Sequence, residues 1–183
     1  DSIKSWSAPF VMSIANTRVV RRSVELHELN QSGYGSEFTY KEFMNVKKYS
    51  SALMVSIGLA ILGLMIVSPI SSLFRKLFTK PGNGPDKKTR DNGWFESIFI
   101  GKNTNNEFYK LRIYGDGDPG YKTTAKFICE SALCLVKSDG YLENTNKGGV
   151  LTTATGLGEH LIKRLKNADI LFEGPEKIAK TIT

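Results

Sequence analysis

The chain of 183 residues has only two cysteines and two histidines. Two cysteines cannot build the disulfide framework of a small secreted scaffold. On one helix Cys129 and Cys134 would point about 140° apart, so they would not converge on a metal ion. The sequence has only two histidines, His27 and His160, to add to these cysteines as metal ligands. We therefore predict no metal site. No Ser/His/Asp or Cys/His set is visible either, so no catalytic residue is predicted.

Acidic residues are fewer than basic ones, with 18 Asp/Glu against 25 Lys/Arg and a net charge of +7. More than half of this surplus, +4, lies between residues 75 and 94, directly after residues 49–74, which carry no charge. A nucleic-acid-binding protein usually spreads its basic residues along one face. A basic cluster beside an apolar run is instead typical of a membrane border. We therefore predict no nucleic-acid partner.

The apolar run has no polar face at helical spacing, because 14 of the 19 residues at 52–70 are apolar. Ser68 and Pro69 interrupt it, and the uninterrupted part is shorter than the roughly 20 residues of a spanning helix. Three readings stay open: a spanning helix, a helix lying in a membrane or lipid-monolayer surface, and a buried or dimer-interface helix. The candidate membrane or interface residues are Leu53, Ile57, Ile61, Leu64, Arg75 and Lys76.

Composition divides the chain into three parts. Residues 1–50 are predicted to be mostly helical, with Ser7, Thr17 and Thr39 as helix caps. Residues 51–90 hold the apolar segment and a basic linker rich in Pro and Gly. Residues 91–183 are predicted to mix strands and helices, and we expect all three parts to form one domain of a larger protein.

The last part favours an α+β fold, with an antiparallel or mixed sheet, helices packed on one face, and the long apolar helical segment in addition. A hairpin is predicted from strands at 94–100 and 108–114, further strands at 150–153 and 170–173, and a helix at 156–167. A helix at 123–137 is predicted to face the core, with Leu133 either less buried than Leu135 or shared with another chain. Its core positions would be Ala125, Ile128, Cys129, Ala132, Leu135 and Val136.

Residues 115–120 match the dinucleotide-binding pattern G-x-G-x-x-G between a predicted strand and a predicted helix. The chemistry argues against a nucleotide, because Asp116 and Asp118 would place negative charge beside its phosphates and Pro119 lacks an N–H donor. We interpret the segment as a structural turn formed by Asp118, Pro119 and Gly120, in which Asp118 or Thr123 caps the following helix.

Arg18, Arg21 and Arg22 share a face of a predicted helix at i, i+3 and i+4 spacing. Guanidinium groups at this spacing could bind a carboxylate or a phosphate, so the three arginines are the substrate or anion candidates. A solvated helix face that pairs with Glu25 is the competing and more common interpretation of such a pattern.

Several segments, taken in order, resemble the C-terminal half of the saccharopine dehydrogenase-like oxidoreductases, a family that includes trans-acting enoyl reductases. The resemblance covers nearly the whole chain. The segments that carry it are Ala8–Met12, Asn16–Ser23, Tyr34–Gly35 with Phe38 and Tyr40, Lys80–Gly82, Gly84–Pro85, Gly93–Phe95, Gly115–Tyr121, Thr124–Lys126 with Glu130, Ala132–Leu135, Gly148–Val150 and Leu161–Leu165.

The resemblance implies a substrate-side and dimerisation domain without the Rossmann domain that binds NAD(P). It implies no cofactor in this chain, no activity for it alone, NAD(P) in an upstream domain, and that domain and a second copy as partners. Animal members of the family suggest an intracellular protein associated with membranes or lipid droplets. Because the chain begins at Asp1, we expect a fragment or a processed chain. The alternative function is a membrane- or lipid-surface module without an enzymatic role.

Overall fold

The structure, a computed structural model, describes residues 5–29, 33–35, 37–68, 82, 84–137 and 149–179. The chain divides into two compact units, Asp1–Gly84 and Pro85–Thr183. The described residues form five helices and two small antiparallel sheets. The predicted α+β class is therefore confirmed, and the sheets are antiparallel rather than mixed.

The first unit pairs two short strands, β1 (Trp6–Pro9) and β2 (Phe43–Val46), with helices α1 (Ser13–Leu29) and α2 (Tyr49–Val67). The strands run antiparallel, with Ala8 opposite Met44. Ala8 and Ala52 are buried, which lets the start of α2 pack closely on β1. Trp6 and Tyr49 close this contact edge to face, with ring centroids 5.0 Å apart.

Both strands correct the prediction for residues 1–50. The helix predicted to start at Ser7 is wrong, since Pro9 ends a strand and α1 begins only after a turn in which the Ser13 amide bonds the Phe10 carbonyl. The helix predicted from Thr39 is also wrong, because Phe43 lies in β2. Four-residue strands have little local signal, and these two become stable only by pairing across more than thirty residues.

The second unit begins with α3 (Lys87–Asn92), whose N-terminus is capped by the Asp86 carboxylate. The strands β3 (Trp94–Lys102), β4 (Phe108–Asp116) and β5 (Ile170–Ile178) then form a sheet in the order β3-β4-β5. The β3–β4 pair confirms the predicted hairpin. Asn106 closes its connection at a φ of 60°, a left-handed conformation that asparagine tolerates well.

Two helices, α4 (Lys122–Lys137) and α5 (Thr153–Asn167), pack together and complete this unit. Phe95, Gly115 and Ile170 lie side by side on one sheet face, and Phe127 of α4 packs against Phe95 there. On the other face Arg112 pairs with Glu96 and Glu173 on the neighbouring strands. The predicted strand at 150–153 is wrong, because Thr152 caps α5 through a capping box with Thr155.

The orientation of α4 also differs from the prediction. Its buried or half-buried residues include Thr123, Phe127, Glu130 and Cys134, and Glu130 pairs with Arg164 of α5 at 2.7 Å. Leu133 is 38% exposed and Leu135 58%, so the expected order of their burial is wrong. Every predicted core position is exposed, and we call this set the outer stripe: Ala125, Ile128, Cys129, Ala132, Leu135 and Val136.

Candidate functional site

An open cleft of about 410 Å³ lies in the first unit. Its walls come from β1, from the turn that leads into α1, and from the first residue of β2 with the residue before it. The cleft is mainly apolar, with hydroxyl groups and one carboxylate among its lining groups. The lining residues are Ser7, Ala8, Pro9, Phe10, Ser13, Glu42 and Phe43.

Two neutral side chains hold the carboxylate of Glu42. The Asn16 amide, one turn beyond the start of α1, donates to both oxygens, at 3.0 Å to Oε2 and 3.2 Å to Oε1. The Tyr40 hydroxyl donates to Oε1 through a short hydrogen bond. All three side chains are half-buried. The arrangement fixes Glu42 at the cleft from two sides, and its donors lie 26 residues and two residues away in sequence.

Both hydrogen-bond donors to this carboxylate are neutral groups. Burial, and then the hydrogen bond and charge of Glu42, raise the pKa of Tyr40 well above its ordinary value, so Tyr40 stays a neutral donor. In the described part of the chain, no Lys or Arg forms an ion pair with Glu42. Among the described residues, the Glu42 carboxylate is therefore held by hydrogen bonds from neutral groups and has no basic partner within ion-pair distance.

The three arginines predicted to bind an anion do not line this cleft. Arg18, Arg21 and Arg22 are exposed on α1, and Arg22 pairs with Glu25 at 3.3 Å. Arg18 lies five residues after Ser13, which places it about 140° around the helix from the side that borders the cleft. The structure thus separates the arginines from the cleft, and their role as an anion site stays a prediction.

No sequence pattern predicted the cluster of Asn16, Tyr40 and Glu42. No motif joins these residues, because the contact depends on α1 packing beside the segment that enters β2. One signal was present: Asn16 and Tyr40 belong to two of the segments that carry the family resemblance. Their meeting at Glu42 shows that these segments form one local structure.

The turn at 115–120 uses its backbone donors internally. The Gly117 amide donates to the Gly93 carbonyl at 2.7 Å, and the Asp118 amide donates to the Arg90 carbonyl at 3.0 Å. The Asp118 carboxylate accepts from the amides of Tyr121 and Lys122 at 2.9 and 3.1 Å, which caps α4. Because these groups are already paired, the turn offers them to no phosphate.

The apolar candidates of α2 lie on its exposed side. Leu53, Ile57, Ile61 and Leu64 are all about half exposed or more, and Leu64 is 73% exposed. Of the helices in the described residues, none combines the length and the hydropathy needed to cross a membrane. Arg75 and Lys76 lie outside the described residues. No group of three or more metal-ligating side chains occurs within the described ranges.

Comparison with known proteins finds mycobacterial relatives. The chain is 35% identical over 176 residues to a Mycobacterium tuberculosis (strain ATCC 25618 / H37Rv) protein whose name assigns it provisionally as a trans-acting enoyl reductase. It is 30% identical over 175 residues to the trans-acting enoyl reductase of Mycobacterium bovis (strain BCG / Pasteur 1173P2) and 29% identical over 179 residues to that of Mycobacterium leprae (strain TN). These alignments cover 91–92% of this chain and 40–41% of each relative.

The chain therefore spans about two fifths of the length of the curated relatives that it matches. No family model matches the chain, and no solved structure matches it significantly. The similarity supports a relation to the trans-acting enoyl reductases. The wider assignment to the saccharopine dehydrogenase-like oxidoreductases stays a prediction from the sequence.

Proposed function

We propose that this chain is the substrate-side and subunit-contact part of a longer NAD(P)-dependent reductase related to the trans-acting enoyl reductases. The observation that carries the proposal is the similarity to these proteins over nearly the whole chain but only two fifths of their length. NAD(P)H, held by a nucleotide-binding domain elsewhere in the longer protein, would supply the hydride, and this chain has no reductase activity alone.

The second unit supports a role in contacts with other domains or subunits. The outer stripe of α4 is apolar and exposed, and Ile128 and Val136 are 68% and 82% exposed. Burying a large aliphatic side chain stabilises a contact by about 1.5–3 kcal/mol. A partner that covers the stripe would therefore gain several such contributions, which is the property expected of a subunit or domain interface.

The nucleotide part of the proposal is tested by calorimetric titration of the chain with NADH and NADPH. We expect no binding, since the amides at 117 and 118 are paired within the protein. The control variant is Gly117→Val, which would abolish binding at a true dinucleotide fingerprint. Micromolar binding that this variant removes would overturn the proposal and restore a nucleotide site at 115–120.

The contact part is tested in the longer protein. Replacing Ile128 and Leu135 together by Asp should disrupt its assembly or its reductase activity, because charge then enters the apolar stripe. The matched control replaces Ala154 and Lys163, exposed on α5, by Asp. If both double variants assemble and react like the parent, the outer stripe makes no functional contact.

A second candidate function is association with a lipid surface through α2. Its support is the exposed apolar side of this uncharged helix, together with Lys47 and Lys48 directly before it. Basic residues near anionic headgroups contribute about 1 kcal/mol each. An intracellular protein bound in this way would lie on a membrane or lipid droplet.

Flotation with anionic liposomes tests this second function. Ile57→Asp with Leu64→Asp should abolish flotation, and Lys47→Glu with Lys48→Glu should weaken it in a salt-dependent manner. Neutral liposomes serve as the charge control. If the parent does not float, or if neither pair of substitutions changes its partitioning, α2 has no role at a lipid surface.

A further inference from the structure

The carboxylate of Glu42 has capacity for another hydrogen bond at the cleft. An ionised carboxylate has about four acceptor positions. The structure gives Glu42 three hydrogen bonds, two from the Asn16 amide and one from the Tyr40 hydroxyl. All three donors are neutral, and the residue lines an open cavity. A positively charged donor group in the cleft would fill the remaining acceptor position of Glu42 and would also balance the negative charge of its carboxylate.

The rest of the cleft indicates the shape of such a ligand. Phe10 and Phe43 lie on its walls, and Phe43 is 62% exposed. Pro9 adds further apolar surface, and the cleft of about 410 Å³ has room for a small organic molecule although it is open to solvent. An aromatic or aliphatic body would bury this surface while a charged group at one end reaches Glu42.

We propose that this cleft binds a small organic monocation, a primary ammonium group on an aromatic or aliphatic body. The ammonium donates to Glu42, and the body packs against the phenyl rings of Phe10 and Phe43. An anionic ligand would meet an unneutralised carboxylate. A divalent cation would require more oxygen ligands than one carboxylate provides. The proposal does not depend on whether the chain belongs to a reductase.

The probe is benzylammonium chloride, titrated into the full chain and followed by the NMR shifts of backbone amides. The neutral control is benzyl alcohol, which has nearly the same size and shape. We expect benzylammonium to shift the amides of Ser13, Asn16 and Phe43 in a saturable manner. Benzyl alcohol should bind about tenfold more weakly or less, because a charge-assisted hydrogen bond is lost. This comparison requires no substitution in the protein.

Substitutions then assign the charge to one residue. Glu42→Gln keeps the size of the side chain and should reduce benzylammonium affinity to that of benzyl alcohol. The matched control is Glu37→Gln, which makes the same charge change at an exposed position outside the cleft. Phe43→Ala should weaken both compounds to a similar extent, since it removes apolar contact and leaves the carboxylate.

Three results would overturn the proposal. The first is no saturable shift with benzylammonium, which is also the outcome if the cleft accepts only a lysine of a partner protein. The second is equal affinity for benzylammonium and benzyl alcohol. The third is equal loss of affinity in Glu42→Gln and Glu37→Gln, since long-range attraction and not a contact would then explain binding.

Discussion

Phe127 of α4 meets Phe95 of β3 edge to face, with ring centroids 5.8 Å apart and ring planes at 78°. Through this contact α4 touches the sheet. Phe95 itself lies opposite Gly115 on the next strand, where the absence of a side chain leaves room for its ring. A methyl group at Gly115 would lie 2.5 Å from the Phe95 ring. The glycine, the ring of the strand and the ring of the helix therefore form one packed unit.

Replacing Phe127 by Ala should destabilise the chain by about 2–4 kcal/mol, since it removes a half-buried ring and its aromatic partner contact. The adjacent variant Ile128→Ala is the control, because Ile128 lies on the outer stripe. Its effect should stay within about 0.5 kcal/mol. Urea unfolding of both variants measures the difference. Equal effects would mean that α4 packs through the stripe and not through Phe127.

Gly93→Ala should destabilise the chain by about 1–3 kcal/mol. A Cβ atom at position 93 would lie 2.6 Å from the backbone nitrogen and Cα of Asp118, and backbone atoms cannot move aside as a flexible side chain can. Gly101→Ala, near the end of the strand β3 that begins directly after Gly93, meets no atom within 4 Å and is the matched control. Thermal unfolding of the two variants is the measurement, and a loss as large in Gly101→Ala would contradict the steric explanation.

Asp118→Ala should cost about 0.5–2 kcal/mol, the usual range for the loss of a helix N-cap. Its carboxylate accepts hydrogen bonds from the amides of Tyr121 and Lys122, and alanine cannot replace them. Asp118→Asn keeps one acceptor oxygen and should lose much less. Chemical unfolding of the pair separates capping from charge. A loss of the same size in both variants would show that the charge, and not the cap, stabilises α4.

The chain should lose stability in acid through Asp91. Hydrogen bonds from Lys87 and then from Lys122 lower the pKa of its carboxyl group to about 2, below the ordinary value of 3.8. A lowered pKa in the folded state means that this contribution is complete above pH 3.8 and is lost as the pH falls towards 2. The group is exposed, so the effect should be small and should weaken in high salt.

Urea midpoints measured across this pH window test the prediction. Lys87→Gln should flatten the pH dependence, while Lys88→Gln, its neighbour on α3 without an ion pair among the described residues, should leave it unchanged. Asp91→Asn removes the titrating group itself and should abolish the whole of its contribution, including the part that depends on Lys122. An unchanged slope in both Lys87→Gln and Asp91→Asn would exclude Asp91 as its source.

Sequence patterns predicted the second unit better than the first. The hairpin of β3 and β4 has its signal within 23 residues, where alternating aromatic and branched side chains adjoin a short polar connection. β1 and β2 have only four residues each and pair across the whole of α1, so local preference could not identify them. The missed Glu42 cluster has the same cause, since Asn16 reaches it over 26 residues.

The orientation of α4 could not be predicted, because hydrophobic periodicity locates an apolar face but not what covers it. In the described structure Glu130 of this helix instead forms an ion pair with Arg164 of α5. The Lys126 ammonium donates a hydrogen bond at 2.5 Å to the carbonyl of Ala168, the residue directly after α5. The pattern of the sequence was correct as a helix pattern. The pattern also indicated an apolar face that another part of the protein covers. In the described part of this unit, no element covers that face.

In the sheet order β3-β4-β5 the two edge strands, β3 and β5, differ in their ability to pair with a further strand. β5 contains Pro175, which has no amide hydrogen, and the charged Glu176 and Lys177 beside it, so its edge resists further pairing. β3 contains Ile98, Phe99 and Ile100 in its centre, all partly exposed, and no proline. A further strand would therefore pair with β3 and not with β5. A strand from a second molecule in a concentrated solution would pair at the same edge, so the sheet would grow on one side only.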